Sequence, residues 1–170
     1  TGEMVEIACR VRPDDVCLVP ERREELTTEG GLDVAGQKEN LAQVTLSLQK
    51  AGIRVSMFID PDTLQIEASR DVGADAIEIH TGAYAEALGG TEKDREFNRV
   101  VKAVTTGSKA ALKVNAGHGL HYENVERIAA IVGITELNIG HSIIARAVFS
   151  GLAEAVREMK IRIDKAVSQS

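Results

Sequence analysis

Short β-branched segments alternate with longer segments of helical periodicity along the whole chain, and this alternation constrains the fold more than any other feature. Strands are predicted at 16–21, 54–60, 76–81, 111–117 and 136–140. Strands that alternate with amphipathic helices are typical of a parallel sheet with crossover helices. The sequence therefore predicts an α/β fold.

The segments between these strands carry helix signals. Apolar residues recur at helical spacing over 1–12, 41–51, 64–72 and 152–163. Asp60, followed by a proline, predicts the N-cap of one helix, and Thr91 predicts that of another. Each predicted helix thus begins soon after a strand ends, as βα units require.

The number of strands bears on the architecture. A closed (β/α)8 TIM barrel has eight strands and about 250 residues, whereas this chain has 170 residues and five predicted strands. No linker or repeat divides it, so we expect a single domain over 1–170. We expect a TIM barrel that lacks its first three βα units, and an open, doubly wound five-stranded sheet is the alternative.

Side-chain alternation favours the barrel. Glu78 and His80 share one face of the third strand, while isoleucines occupy the other face. Polar residues alternate in the same way on the last two strands, at Lys113, Asn115, Glu136 and Asn138. Central strands of a doubly wound sheet are apolar on both faces. A polar face on three successive strands is instead expected where a barrel interior opens into an active site.

Composition excludes several classes of partner. The net charge of -6, with acids and bases interspersed, predicts neither a nucleic-acid surface nor a membrane anchor, and no apolar segment is long enough to span a bilayer. Cys9 and Cys17 lack zinc-ligand spacing, so we expect no metal and expect both to be reduced, buried small side chains. These features predict a cytoplasmic protein that binds small solutes.

All four histidines lie near the carboxyl ends of the last three strands. The active sites of (β/α) barrels are built at that end, which favours function for His118 and His141. For His80 and His121, a structural or surface role remains equally open.

The residues around two of these histidines suggest distinct roles. His118 stands between two glycines, where small neighbours let a substrate approach, and histidine is suited to acid–base catalysis near neutral pH. Gly140 and His141 lead from the last strand into a helix amino terminus, which favours phosphate. A simple tight turn at Gly140 is the alternative.

Other polar residues have two interpretations each. Glu78 either stabilises a cationic intermediate or moves a proton, or it forms a salt bridge with Lys113. Lys113 is either an imine-forming lysine or a member of an ion pair, and the ion pair is favoured because nothing indicates a depressed amine pKa. Thr27 and Thr28, ahead of paired glycines, offer hydroxyl groups to an anion, unless this loop is only a solvated rim.

Six blocks of sequence resemble the pyridoxine 5′-phosphate synthase family, in the family's order and spacing. They are LVPE at 18–21, TTEGGLDV at 27–34, FID at 58–60, IEIHTG at 77–82, LKVNAGHGL at 112–120 and LNIGH at 137–141. The resemblance implies a barrel that condenses 3-amino-2-oxopropyl phosphate with 1-deoxy-D-xylulose 5-phosphate to pyridoxine 5′-phosphate, phosphate and water. It also implies a homo-oligomer with no external cofactor.

The resemblance also implies roles for individual residues. His118 is expected to be the proton donor, and Glu78 the carboxylate that stabilises the transition state. Contacts to the substrates are expected from Thr27 for 1-deoxy-D-xylulose 5-phosphate, and from Gly119, Gly140 and His141 for 3-amino-2-oxopropyl phosphate. Because the substrate's own amine forms the imine in this family, Lys113 is not required as a nucleophile.

The chain departs from the family at its start. The family's Asn-x-Asp-His motif, a histidine base with nearby arginines and a glutamate base would all precede Thr1. We therefore expect the 170 residues alone to be inactive or to need the missing part. The alternatives are a class I aldolase-like barrel that uses Lys113 and a catalytically incomplete fragment that binds phosphorylated metabolites.

Overall fold

The computed structural model describes residues 1–20 and 30–169, and in these ranges five strands alternate with eight α-helices. The strands are β1 (Asp15–Leu18), β2 (Arg54–Ile59), β3 (Ala76–His80), β4 (Lys113–Gly117) and β5 (Ile134–Asn138). The helices are α1 (Gly2–Val11), α2 (Lys38–Lys50), α3 (Thr63–Asp71), α4 (Gly82–Glu86), α5 (Gly90–Lys109), α6 (Val125–Ala129), α7 (His141–Ser150) and α8 (Leu152–Val167). A 3-10 turn, Ala35–Gln37, leads into α2.

The five strands form one parallel sheet in which spatial order follows chain order, β1-β2-β3-β4-β5. The prediction of five parallel strands is confirmed, and most strand ends lie within two residues of their predicted positions. The first strand ends at Leu18, and its predicted end at Glu21 lies outside the described residues. The last strand begins two residues early, beside an irregularity in the β4–β5 register at Val114.

The strand order decides between the two predicted architectures as far as the described residues allow. A doubly wound sheet reverses its strand order at a switch point, and this sheet has no reversal, so the doubly wound alternative is wrong. Right-handed crossovers in one direction put successive helices on one face of the sheet. In the described residues β1 and β5 each pair on one side only, so the α/β prediction is confirmed but the sheet is not a closed barrel.

One face of the sheet is the hydrophobic core. Val55, Met57, Ile59, Ile77 and Ile79 are fully buried there against the helices. Each such side chain contributes about 1.5–3 kcal/mol relative to an exposed position. The other face carries the polar residues that alternate with them, so the binary pattern of the strands orients the sheet and leaves that polar face for chemistry.

Two predicted helix caps are wrong. The N-cap of α3 is Asp62, whose carboxylate accepts a hydrogen bond from the Leu64 N–H at 2.8 Å. Asp60 instead contacts a histidine of the neighbouring strand. Helix α5 begins at Gly90, so Thr91 lies inside its first turn. Gly73 follows the end of α3, and its φ of 81° is a left-handed conformation that glycine adopts without strain.

The two cysteines are free thiols. The prediction that both are buried is wrong, because Cys9 is half-buried and Cys17 is exposed on the polar face of β1. Within the described ranges, no helix combines the length and the apolar content that a bilayer crossing requires.

Candidate active site

A buried threonine fixes the turn that presents His118. The Thr81 hydroxyl lies 2.7 Å from the Gly117 carbonyl oxygen and 2.6 Å from that of His118, and it shares its proton between them. The Thr81 N–H also donates to the Gly117 carbonyl at 2.8 Å. These contacts hold His118 at a φ of 78°, a conformation that non-glycine residues rarely adopt without support.

Three rings meet at the carboxyl ends of β2, β3 and β4. The His80 and His118 ring centroids are 4.8 Å apart, and Phe58 lies edge-on to His80 at 5.1 Å. His80 is only 6% exposed. Its Nδ1 lies 3.0 Å from Asp60 Oδ1, and because a carboxylate only accepts, Nδ1–H is the donor.

Asp60 is held in its charged form. The hydrogen bond from His80 lowers the pKa of Asp60 below its usual value, although partial burial opposes this. The Gly31 backbone amide and the Arg99 guanidinium lower it further. The site therefore carries a fixed negative charge next to a buried imidazole.

Glu78 lies on the same face of β3, two residues before His80. Its Oε2 accepts a hydrogen bond from Asn138 Nδ2 at 2.8 Å, and the Cys17 thiol lies 3.8 Å from the same oxygen. Burial raises the pKa of Glu78, an effect that these two hydrogen bonds partly offset. Gly117 makes room for the carboxylate, since a Cβ at that position would collide with Glu78 Oε1.

Cys17 combines an accessible surface with a strongly perturbed thiol. Surrounding protein atoms displace water from the sulfur and, together with the Glu78 charge, raise the pKa of Cys17 to about 12. The side chain is nonetheless exposed at the open face. A thiol that stays protonated can donate to Glu78, as the geometry requires.

Lys113 forms the predicted ion pair, but with a different partner. Its Nζ lies 3.2 Å from Glu136 Oε2, and the two side chains are 46% and 50% exposed. The alternative in which Glu78 pairs with Lys113 is wrong, because Glu78 is bound by Asn138 and Cys17. An exposed, paired amine lacks the desolvation that activates a nucleophilic lysine.

The loop after His118 is pinned to the helices around it. The Asn124 carboxamide accepts from the His121 N–H at 2.7 Å and donates to the Gly119 carbonyl at 3.1 Å. The Ser142 hydroxyl donates to the Leu120 carbonyl at 2.9 Å. The Gly119 backbone and the start of α7 are thereby held in a fixed relation.

Gly140 and His141 occupy the amino terminus of α7 as predicted. Gly140 is its N-cap, and no side chain of the described residues caps the helix by a hydrogen bond. The first N–H groups of a helix have no partner within it and attract anions. Both residues are exposed, and open space surrounds Gly140. His121 has a structural role, since its Nδ1 accepts from the Glu123 N–H at 3.2 Å.

The polar face thus brings together most of the predicted residues. His118 is linked through Gly117 to Glu78, and Glu78 is linked through Asn138 to the strand that leads into Gly140. Thr27 lies outside the described residues. A cleft of about 230 Å³ borders His80 and Asp60 on the side of α5, and neither His118 nor Glu78 lines it. We place the candidate chemistry on the polar face because the titratable groups converge there.

Sequence reasoning missed three residues of this site: Asp60, Thr81 and Asn138. Each lies at the carboxyl end of a strand, and that position could have indicated a site residue. Asp60 was interpreted as a helix cap because a proline follows it. Thr81 and Asn138 contact residues that lie 36 and 60 positions away in the sequence, and local sequence patterns do not reveal such contacts.

A protein-family model described as "Pyridoxal phosphate biosynthesis protein PdxJ" matches residues 1–165. The chain belongs to the PdxJ family. The PdxJ match spans every site residue described above, from Cys17 to Ser142.

The PdxJ chain also resembles a solved structure of different sequence. A chain in the "Crystal structure of Amycolatopsis orientalis BexX/CysO complex" matches with a TM-score of 0.63 at 16% identity. The match covers 98% of this chain and 60% of that chain, so this PdxJ chain spans about 60% of its length. At this identity the likeness concerns the fold alone.

Proposed function

We propose that the protein carrying this chain is a pyridoxine 5′-phosphate synthase of vitamin B6 biosynthesis. It would condense 3-amino-2-oxopropyl phosphate with 1-deoxy-D-xylulose 5-phosphate to pyridoxine 5′-phosphate, with release of phosphate and water. Beyond membership of the PdxJ family, the observation that carries the proposal is that the Glu78 carboxylate lies against Gly117, the residue directly before His118.

We also propose that β1 to β5 form part of a (β/α)8 barrel. Two observations support this: the strand order follows the chain order without reversal, and the face away from the helices is polar. In a closed barrel that face becomes the interior, where charged groups pair across the lumen. The edges of β1 and β5 would then be covered by further strands.

His118 would act as the general acid. Condensation of an amine with a ketone expels water, and the departing oxygen must receive a proton. Imidazole supplies a proton near neutral pH. Thr81 fixes the backbone of His118, which limits the ring to one region of the polar face.

Glu78 would stabilise the cation that develops as the imine forms. A carboxylate in a partly desolvated site interacts more strongly with a developing charge than one in water. Asn138 and Cys17 bind the same oxygen, Oε2, and orient the group. The other oxygen, Oε1, points over Gly117, where the missing side chain leaves space.

The phosphate of the aminoketone would bind at the start of α7. Gly119, Gly140 and His141 would contact it, and the unpaired N–H groups of the helix support this role. Thr27 would contact the phosphate of the deoxyxylulose substrate. No external cofactor and no lysine imine is required in this scheme, and the Lys113–Glu136 pair agrees with that assignment.

Assembly is proposed from the family resemblance, and the compartment from the composition of the chain. The protein would form a homo-oligomer, which sedimentation of the purified protein tests directly. A cytoplasmic location is compatible with two free thiols, and subcellular fractionation tests it.

The decisive experiment measures pyridoxine 5′-phosphate formed from the two phosphorylated substrates. The chain would be assayed alone and after extension at its amino terminus through a complete barrel, each with His118→Asn. Loss of a positioned acid typically costs about 100- to 10,000-fold in rate. His121→Asn is the matched control, since the hydrogen bonds of His121 among the described residues reach no further than its own loop and the start of α6. We expect its rate to stay within threefold of the parent, about 0.7 kcal/mol.

Product from neither form would refute the assigned reaction. Trapping of a substrate adduct on Lys113 by borohydride would then favour the aldolase-like alternative. Binding of both substrates without turnover in the extended protein would favour a phosphate-metabolite binding module.

A further inference from the structure

His80 carries a buried nitrogen that the proposed reaction does not use. Its Nδ1 is bound to Asp60, while its Nε2 is buried and has no hydrogen-bond partner within the described residues. A buried polar atom without a partner is destabilising, and native proteins retain few of them. Stability alone therefore does not account for a histidine at this position.

The His80 ring has little rotational freedom. Asp60 fixes Nδ1 from the end of β2, and Phe58 packs edge-on against the ring. Because the carboxylate accepts the Nδ1 proton, the neutral ring presents Nε2 as an acceptor. The tautomer and the orientation of His80 are thus both determined by β2.

His80 and His118 border the same small space. Their ring centroids are 4.8 Å apart, with an interplanar angle of 56°. Gly82 lies between them, since a Cβ there would meet Nε2 of His80 at 2.7 Å and Cδ2 of His118 at 3.2 Å. The unpartnered nitrogen therefore lies on the side of His80 that is close to the proposed acid.

We propose that Asp60 and His80 are positioning residues for His118. Asp60 orients His80, and the His80 ring in turn sets both the orientation and the proton binding of the His118 imidazole. This inference rests on the proposed function, in which His118 is the general acid. The physical coupling between the two rings does not depend on which substrate binds.

Charged groups from several elements face this pair. In the described residues they are Asp60 at the end of β2, Glu78 on β3, Glu86 on α4 and Arg99 on α5. Glu78 and Arg99 are unchanged in a variant at position 80, so their charges act on His118 in the parent and in the variant alike. At a centroid separation of 4.8 Å, a proton on one imidazole would repel a proton on the other, and the test measures this repulsion.

The test is a proton NMR titration of the His118 ring from pH 5 to 9. The four histidines of the chain make assignment by substitution practical. His80→Phe keeps a ring against Phe58 and His118 but removes the ionisable nitrogens. Asp60→Asn keeps an acceptor for Nδ1 but removes the charge. His121→Gln is the control that removes a histidine outside the pair.

In His80→Phe the second proton-binding ring is gone, so we expect the His118 midpoint to rise by about half a pH unit or more and its titration to become a single step. In Asp60→Asn the proton-binding step of the imidazole pair moves to lower pH, because an anion beside it is lost. His121→Gln leaves the His118 curve unchanged. In the extended, active protein, the pH dependence of kcat shifts in the same directions.

A His118 curve that is the same in the parent, His80→Phe and Asp60→Asn would overturn the inference. If His80→Phe loses its dispersed amide spectrum, Asp60→Asn decides alone, since it preserves size and an acceptor. The outcome is separable from that of the proposed function. Coupled titration without product refutes only the reaction, and product without coupling refutes only the positioning role.

Discussion

The two ends of the polar face differ in how far their charged and polar groups are exposed. At the amino-terminal end, Asp15 pairs with Arg54 and Lys113 pairs with Glu136 in exposed salt bridges. At the carboxyl-terminal end, His80 and Thr81 are buried, and His80 Nδ1 and the Thr81 hydroxyl are hydrogen-bonded to residues of neighbouring βα units. Exposed ion pairs contribute about 0–1 kcal/mol, whereas loss of a buried partner has a larger effect. Function is expected at the end where the polar groups cannot rearrange.

The largest effect is expected from Gly117→Ala at the carboxyl-terminal end. The new methyl group would displace the Glu78 carboxylate and would press on the Asn138 carbonyl at 3.0 Å. A misplacement of about 1 Å can reduce a catalytic rate about 100-fold, and we expect a loss of product formation of that order. Gly89→Ala, with open space around it, is the matched control. A fully active Gly117→Ala enzyme would exclude this role for Glu78.

Thr81→Val and Thr135→Val make the same change at opposite ends of the polar face, and their effects on stability can be compared directly. Thr81 is 1% exposed and bridges two carbonyls, whereas Thr135 is exposed and contacts the Val114 carbonyl and the Asn115 side chain. We expect Thr81→Val to lower the free energy of unfolding by about 1–2 kcal/mol, and Thr135→Val, whose exposed hydroxyl donates to Asn115, by about 0.5–1 kcal/mol. Urea titrations measure both. Equal losses would remove the distinction between the ends.

Glu78→Gln should reveal a smaller, pH-dependent effect. Burial raises the pKa of Glu78 in the folded protein, so the carboxyl group favours folding below its unfolded pKa and this contribution is lost as pH rises through the folded pKa. The amide variant does not titrate. Its melting temperature should therefore exceed that of the parent by an amount that grows from pH 4 to pH 7, while its activity falls. A constant difference across this range would contradict the shift.

The smallest effect is expected at the amino-terminal end from Lys113→Gln. The change removes an exposed ion pair with Glu136, so we expect less than about 1 kcal/mol of destabilisation. Product formation should stay within threefold of the parent, about 0.7 kcal/mol. A loss of several hundredfold in product formation would instead support Lys113 as a nucleophile.

The sequence was sufficient for the sheet and for part of the site. Alternation of Glu78 and His80 with isoleucines placed the polar face correctly, because a strand has a side-chain period of two. The role of Asp60 was not predictable, since an aspartate before proline has a local explanation as a helix cap. The burial of Cys17 was predicted wrongly, because a small apolar residue on a strand does not indicate whether another strand covers that edge of the sheet. Thr27 and its role remain a prediction.

The strand order also has a consequence for how the site is made. Each pairing in the sheet joins consecutive βα units, so the chain can dock one strand after another as it leaves the ribosome. Glu78 is in place once β3 has docked, yet its Asn138 partner arrives only with β5, 60 residues later. The carboxylate is therefore oriented last, and a nascent chain that stalls before β5 would hold a formed sheet with an unformed site.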